Sequence, residues 1–200
     1  EKVDITKTGD LGITVTNEHR EKDPLIGTRI KLIDSNGTMY SQGLTNDAGQ
    51  VYFGNILPDT YTIQAMPNGG VSYQDKGTAT VTPQNVTEVH IEVLPVQVTP
   101  TIFPLVEIEK DNFVRKEGVR VEIWNAYYEE LEQTKVTAQE RKIEFTIDRG
   151  TDLYFIATFE ERGKKFGPQV TSSKLYYTDE RVDIYVYEQP KNVTVEMSML

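Results

Sequence analysis

The sequence predicts an all-β protein built of two tandem β-sandwich domains, residues 1–96 and 97–200. Three observations predict it. Short segments of alternating apolar and polar residues, separated by turn signals, run from end to end. Tyr is abundant, at 11 residues, and Val, Ile and Thr recur throughout; these types suit a pleated, half-buried surface. The second half repeats the strand-and-turn order of the first at an offset of about 91 residues, the mark of an array of modules.

The elements follow in order. Ile13 and Val15 alternate in a first strand, Ile30 and Leu32 in a second. Asn36-Gly37 comes next, a hairpin signal because both residues tolerate positive φ. Val51 and Phe53 mark a strand after the turn at Asp47-Ala48-Gly49, and Tyr61, Ile63 and Ala65 mark another. Ala79 and Val81, then Val89, Ile91 and Val93, complete the half. About seven strands in some 90 residues is the density of a sandwich. Residues 94–104 carry three prolines and no charge. They read as a short, semi-rigid connection that shades into the first strand of the second domain.

In the repeat, Gly27 to Ile33 aligns with Gly118 to Trp124, Asp59 to Ala65 with Thr151 to Ala157, and Val89 to Val93 with Val182 to Val186. Residues 129–141 are charged enough to allow a short turn of helix. Asn192 to Met197 alternate once more and predict an extra C-terminal strand.

Composition narrows the function. The formal net charge is −10, and both halves share the acidic excess. Such a surface repels phosphate backbones and anionic membranes, so nucleic acid and membrane insertion are not expected. The chain has no Cys, which excludes disulfides, thiolate metal sites and Cys nucleophiles. Small secreted eukaryotic domains usually carry disulfides whereas bacterial surface modules often do without, so their absence points to bacterial or phage origin. No apolar run approaches the roughly 20 residues that span a bilayer. The start at Glu1, without a signal peptide, suits a mature secreted form or a piece of a longer chain.

The run Thr45-Asn46-Asp47-Ala48-Gly49-Gln50-Val51-Tyr52-Phe53-Gly54-Asn55-Ile56-Leu57-Pro58-Asp59-Thr60-Tyr61 is specific. It resembles the signature T-D-x-x-G-x-x-x-F-x-x-L-x-x-G-x-Y of the prealbumin-like B modules of bacterial collagen adhesins and SpaA-type pilins. The carboxypeptidase regulatory-like domains are related. Upstream, Asp23 to Leu32 is similar to their x-P-L-x-G-x-x-x-x-L segment. The resemblance covers residues 11–94 well and 103–187 by pattern. It implies two transthyretin/immunoglobulin-like β-sandwich domains from an exported surface protein. Within the signature, Gly49 permits a tight turn. Phe53 and Tyr61 fill the core from neighbouring strands, and Pro58-Asp59 turns the chain into the strand of Tyr61.

The resemblance also raises a Lys–Asn isopeptide bond assisted by a buried carboxylate. The place of the reactive Lys holds Thr16-Asn17 in the first domain, and Lys7 lies too far upstream. In the second domain Lys110 lies near that place and Asn192 is the available late partner. A solvated Lys and a turn Asn explain both residues, so no cross-link is expected in either domain.

Candidate chemistry is sparse. His19 and His90 are the only histidines, and neither sits in a ligand cluster, so no metal and no cofactor are expected. Asp34 to Thr38 and Asn46 to Gly49 offer oxygen ligands, but Asx turns explain them. No nucleophile–base pair is visible, so no enzyme is expected. Trp124, Tyr127 and Tyr128 cluster around Asn125 and form the candidate binding patch, for a host protein or a glycan. The expected function is that of a non-catalytic structural or adhesive module, a stalk or spacer of an adhesin or pilus-like protein. Its partners would be neighbouring modules of the same parent chain. Two other classes stay open: an accessory carbohydrate- or protein-binding module of a secreted enzyme, and a phage or virion decoration protein.

Overall fold

A computed structural model of the chain describes residues 7–190. The extra strand expected at Asn192 to Met197 lies outside the described residues. Contacts divide the chain into two units, Glu1–Val96 and Gln97–Leu200.

The first unit holds eight strands among its described residues: β1 (Gly9–Asn17), β2 (Arg20–Pro24), β3 (Arg29–Ile33), β4 (Met39–Leu44), β5 (Gln50–Ile56), β6 (Asp59–Met66), β7 (Gln74–Val81) and β8 (Val86–Val93). One sheet is centred on β1. It carries β5 and β2 as antiparallel neighbours and β8 as a parallel one, in register from Asp10↔Val86 to Asn17↔Val93. The facing sheet runs β4-β3-β6-β7. Alternation puts every second side chain inward. Leu11, Ile13, Val15, Phe53, Ile56, Ile91 and Val93 from the first sheet meet Ile30, Leu32, Tyr61, Ile63, Ala65, Ala79 and Val81 from the second. Phe53 and Tyr61 therefore fill the core from opposing sheets, not from neighbouring strands of one sheet.

The second unit rebuilds this plan with β9 (Gln97–Val98), β10 (Thr101–Glu109), β11 (Asn112–Arg115), β12 (Arg120–Asn125), β13 (Glu130–Val136), β14 (Ile143–Glu144), β15 (Ile147–Asp148), β16 (Thr151–Glu161), β17 (Lys164–Val170), β18 (Lys174–Tyr176) and β19 (Arg181–Val186). β10 takes the place of β1, with β11 and β14 antiparallel and β19 parallel. The facing sheet is β13-β12-β16-β17, with β18 also on β16. The core is Ile102, Val106, Val121, Ile123, Phe145, Leu153, Phe155, Ala157, Tyr176, Ile184 and their neighbours.

Two expectations change here. The stiff connection is shorter than residues 94–104, because β9 and β10 claim the chain from Gln97 onward and Pro104 lies inside β10. No α-helix forms over residues 129–141. β13 occupies Glu130–Val136, and a turn closed by Arg141 N–H on the Ala138 carbonyl follows.

A buried threonine staples the same corner of each unit. Thr45 Oγ1 accepts the Thr28 N–H at 2.9 Å and donates to the Leu25 carbonyl. Thr137 Oγ1 accepts the Val119 N–H at 2.9 Å and donates to the Lys116 carbonyl at 2.8 Å. Backbone bonds close the corner: Gly27 N–H to Thr45 O and Gly118 N–H to Thr137 O. Both glycines have positive φ, 66° and 82°, where a side chain would be strained.

Candidate functional site

The candidate patch lies on the outer face of the β13-β12-β16-β17 sheet. Along β12, Val121, Ile123 and Asn125 point inward, which turns Arg120, Glu122 and Trp124 outward. On β16 the same alternation turns Tyr154, Ile156 and Thr158 outward. Register then sets Trp124 opposite Tyr154, Glu122 opposite Ile156 and Arg120 opposite Thr158. The Trp124 and Tyr154 rings stack, with centroids 6.1 Å apart and planes 13° from parallel. Trp124 Nε1 donates to Glu122 Oε2 at 3.0 Å, and Arg120 holds the other Glu122 oxygen at 2.9 Å. The indole is thus fixed by a hydrogen bond at one edge and by a ring at its face. Exposed Leu131 on β13 and Val170 on β17 extend the apolar row.

Tyr127 and Tyr128 do not share this face. They sit in the turn between β12 and β13, packed edge to face at 4.8 Å. Buried Asn125 builds that turn: its Oδ1 accepts the N–H groups of Tyr127 and Tyr128, and its Nδ2 donates to Glu132 at 3.0 Å. The structure therefore brings Trp124 together with Tyr154, and Tyr127 together with Tyr128. Tyr154 escaped notice in the sequence because it lies 30 residues from Trp124; its signal was the outward position in the Leu153-Tyr154-Phe155 alternation.

The opposite sheet of this unit carries a second aromatic surface that the sequence did not reveal. Phe103 of β10 lies under two guanidinium groups, Arg115 at 4.1 Å and Arg181 at 4.5 Å from the ring centre. Phe113 packs edge-on against Tyr185 and Tyr187. These rings and cations come from β10, β11, β19 and the residue just past it, which line up only once strand register is known.

The remaining candidates resolve into local structure. His90 is exposed, and its Nε2 lies 2.7 Å from Thr16 Oγ1. Asp34 Oδ1 accepts from the N–H groups of Asn36 and Thr38, and Asn46 Oδ1 from those of Ala48 and Gln50. Both are Asx turns. Asp59 accepts from Ser35 N–H, Ser35 Oγ and Thr60 N–H, and these bonds hold its carboxyl below the ordinary value. Asp10 is lowered likewise by the Tyr52 hydroxyl and the Asn55 N–H. Burial, then Glu180 and Asp152, push the Tyr176 hydroxyl up to about 12. Asn17 is buried on β1 opposite Val93, and Lys110 is exposed in the turn between β10 and β11. Asn192 lies outside the described residues. Among the described residues, no group of three His, Cys, Asp or Glu side chains is placed to hold a metal.

Two facing sheets, one of them joined by a parallel pair of an early and a late strand, β1 with β8 and β10 with β19, define a prealbumin-type β-sandwich. Residues 3–93 match the family of the SpaA prealbumin-like fold domain, and the first unit is a module of that kind. No curated protein matches the chain. Among solved structures, the Bacillus anthracis TIE protein is similar over 91% of this chain and 34% of its own length, at 15% identity and a TM-score of 0.50. The chain thus spans about a third of that protein. The minor pilin GBS52 of Streptococcus agalactiae is similar over 94% of this chain and 99% of its own, at 12% identity and a TM-score of 0.42. The shaft pilin SpaA of Lactobacillus rhamnosus GG covers 92% and 98%, at 12% identity and a TM-score of 0.39. At such identities the likeness is one of fold.

Proposed function

We propose that the chain is a non-catalytic structural segment of an exported, pilus-type or adhesin-type surface protein, where it bears tension and spaces neighbouring modules of its parent chain. The observation that carries this reading is the parallel pairing, in each unit, of a long strand near its start with the last described strand, β1 with β8 and β10 with β19. Parallel neighbours point the chain's entry and exit toward opposite ends of a unit. Tension between the two then loads the ladder lengthwise, so its bonds share the force instead of opening one by one. The prealbumin-like match over residues 3–93 supports the same reading.

Single-molecule pulling tests it. The chain lacks Cys, so introduced cysteine pairs define the direction of force cleanly. Pulling from Asp10 to Val93 should require far more force than pulling from Gly37 to Asp59, which opens the β3–β6 pairing from one end. Equal, low forces in both directions would remove the mechanical reading.

A second reading concerns the patch. The stacked Trp124–Tyr154 pair, pinned by Glu122, is a flat aromatic surface of the sort that stacks on a sugar ring or anchors a protein side chain. A glycan that binds the chain and is lost in Trp124→Ala and Tyr154→Ala, with Tyr127→Ala unchanged, would place recognition on the sheet face. Loss in Tyr127→Ala alone would move it to the turn.

A further inference from the structure

The chain contains two Asn-Gly pairs, Asn36-Gly37 and Asn68-Gly69, both exposed and both in the first unit. The two turns hold their glycine amides differently. The Gly37 amide donates to the Asp34 carbonyl at 2.9 Å, inside a turn that Asp34 Oδ1 braces twice more, at Asn36 N–H and Thr38 N–H. The Gly69 amide has no acceptor among the described residues. Its turn, between β6 and β7, is closed outside it, by Gly70 N–H on the Pro67 carbonyl at 2.8 Å. Past the turn, Val71 is 98% exposed.

We propose that Asn68-Gly69 is a site of spontaneous covalent modification, at which the native chain converts Asn68 to aspartate and isoaspartate well before Asn36 reacts. The Gly69 amide nitrogen loses its proton to solvent base and attacks Cγ of Asn68. A bond forms between that nitrogen and Cγ, the Cγ–Nδ2 bond breaks, and the amide nitrogen leaves as ammonia with a proton from water. The five-membered succinimide then takes up one water. Opening at Cγ leaves an aspartate in a chain of normal connectivity; opening at the main-chain carbonyl routes the chain through Cβ. Gly69 supplies the attacking nitrogen and, lacking a side chain, leaves the approach clear. At Gly37 the same attack requires the bond to Asp34 to break first. The reaction places a new carboxylate against the loop before β3, because Asn68 packs on Gly27: a Cβ there would come within 3.1 Å of Asn68 Nδ2.

The test is to age the full chain in mildly alkaline buffer made with 18O-water and follow chymotryptic peptides, since Tyr40 and Tyr61 separate the two sites. The Asn68 peptide should exchange NH2 for labelled OH and split into two chromatographic species. It should do so at least about fivefold faster than the Asn36 peptide, the factor set by releasing one ordinary hydrogen bond. In denaturant the two rates should converge, because the sequences share the same Asn-Gly chemistry. Asp34→Ala should speed Asn36 and leave Asn68 unchanged, and Asn68→Gln should abolish the fast phase. Native rates that are equal, or faster at Asn36, would overturn the proposal. So would an Asn68 that stays intact while the denatured control converts.

Discussion

The two units solve one packing problem with the same frame and different side chains. On the central strand of the second sheet, Tyr61, Ile63 and Ala65 of the first unit correspond to Leu153, Phe155 and Ala157 of the second. The large ring has moved by one inward position. At the edge of the core, Tyr61 packs against Tyr40 at 5.0 Å and sends its hydroxyl to the Leu57 carbonyl at 2.7 Å. At the centre, Phe155 packs between Phe145 and Tyr176, at 5.6 and 5.9 Å. A Tyr fits the first place because its polar tip finds an acceptor there; a Phe fits the second because its neighbours are other rings. The pattern of core residues drifts between the units while the frame stays, as cores allow.

The outer faces diverge further. The outward residues of β3 and β6 include Arg29, Lys31, Thr60, Thr62 and Gln64, and Lys31 lies over the Tyr73 ring at 4.0 Å. At the corresponding positions the second unit has Tyr154 for Thr62 and Ile156 for Gln64, and Trp124 stands where the first unit has Ile33. Residues that pack the core are constrained by their neighbours, whereas outward ones are free to take on recognition.

The comparison can be broken at its centre first. Phe155→Ala should lower the stability of the second unit by about 3–5 kcal/mol and Ile63→Ala that of the first by about 2–5 kcal/mol. The lone Trp124 reports on the second unit, so its fluorescence should track Phe155→Ala and ignore Ile63→Ala. A single shared transition in urea would show that the units do not unfold separately.

The threonine staple should sharpen the likeness. Thr45→Val and Thr137→Val each keep the shape and strand one buried backbone N–H, that of Thr28 or of Val119, at an expected cost of about 1–3 kcal/mol apiece. Denaturation midpoints that move by similar amounts would establish the corner as a shared device. A loss in one unit only would make it local. Tyr61→Phe is smaller, about 0.5–1.5 kcal/mol, because it removes one hydrogen bond and keeps the ring.

The smallest effect is that of acid. Hydrogen bonds depress Asp59, so its contribution is fully present above the ordinary value of 3.8 and is lost as pH falls through its lower folded value. Asp59→Asn should flatten the acid side of the first unit's stability profile and leave the effect of Thr137→Val untouched. An unchanged slope would mean that Asp59 braces its turn without a preference for its charged form.

Much of the frame was legible. Asn36-Gly37, Gly49 and the alternation of Ile13, Ile30, Tyr61 and Ile91 are local signals, and local signals survive in one dimension. The corner was half legible: Thr45 opens the recognisable signature, but Thr137 has no such context and shows itself only by its bonds. The boundary after Val96 was legible in the prolines Pro95, Pro100 and Pro104, but how far the strand reaches was not: Pro is rare inside a central strand, and β10 nevertheless contains one. The patch was least legible. Trp124 was visible as a lone indole, but its partner Tyr154 is set by strand register, which the residues between them do not disclose.

The parallel terminal strands also bear on how such a chain can evolve. A unit whose ends lie at opposite poles can be copied head to tail with only a short connection, so duplication within a gene yields a foldable product at once. The same feature resists circular permutation. Rejoining the ends of the first unit means crossing the length of the eight-residue β8, about 26 Å at strand rise. Lineages built on this unit are therefore expected to change by adding or losing whole copies, not by shifting where a copy begins.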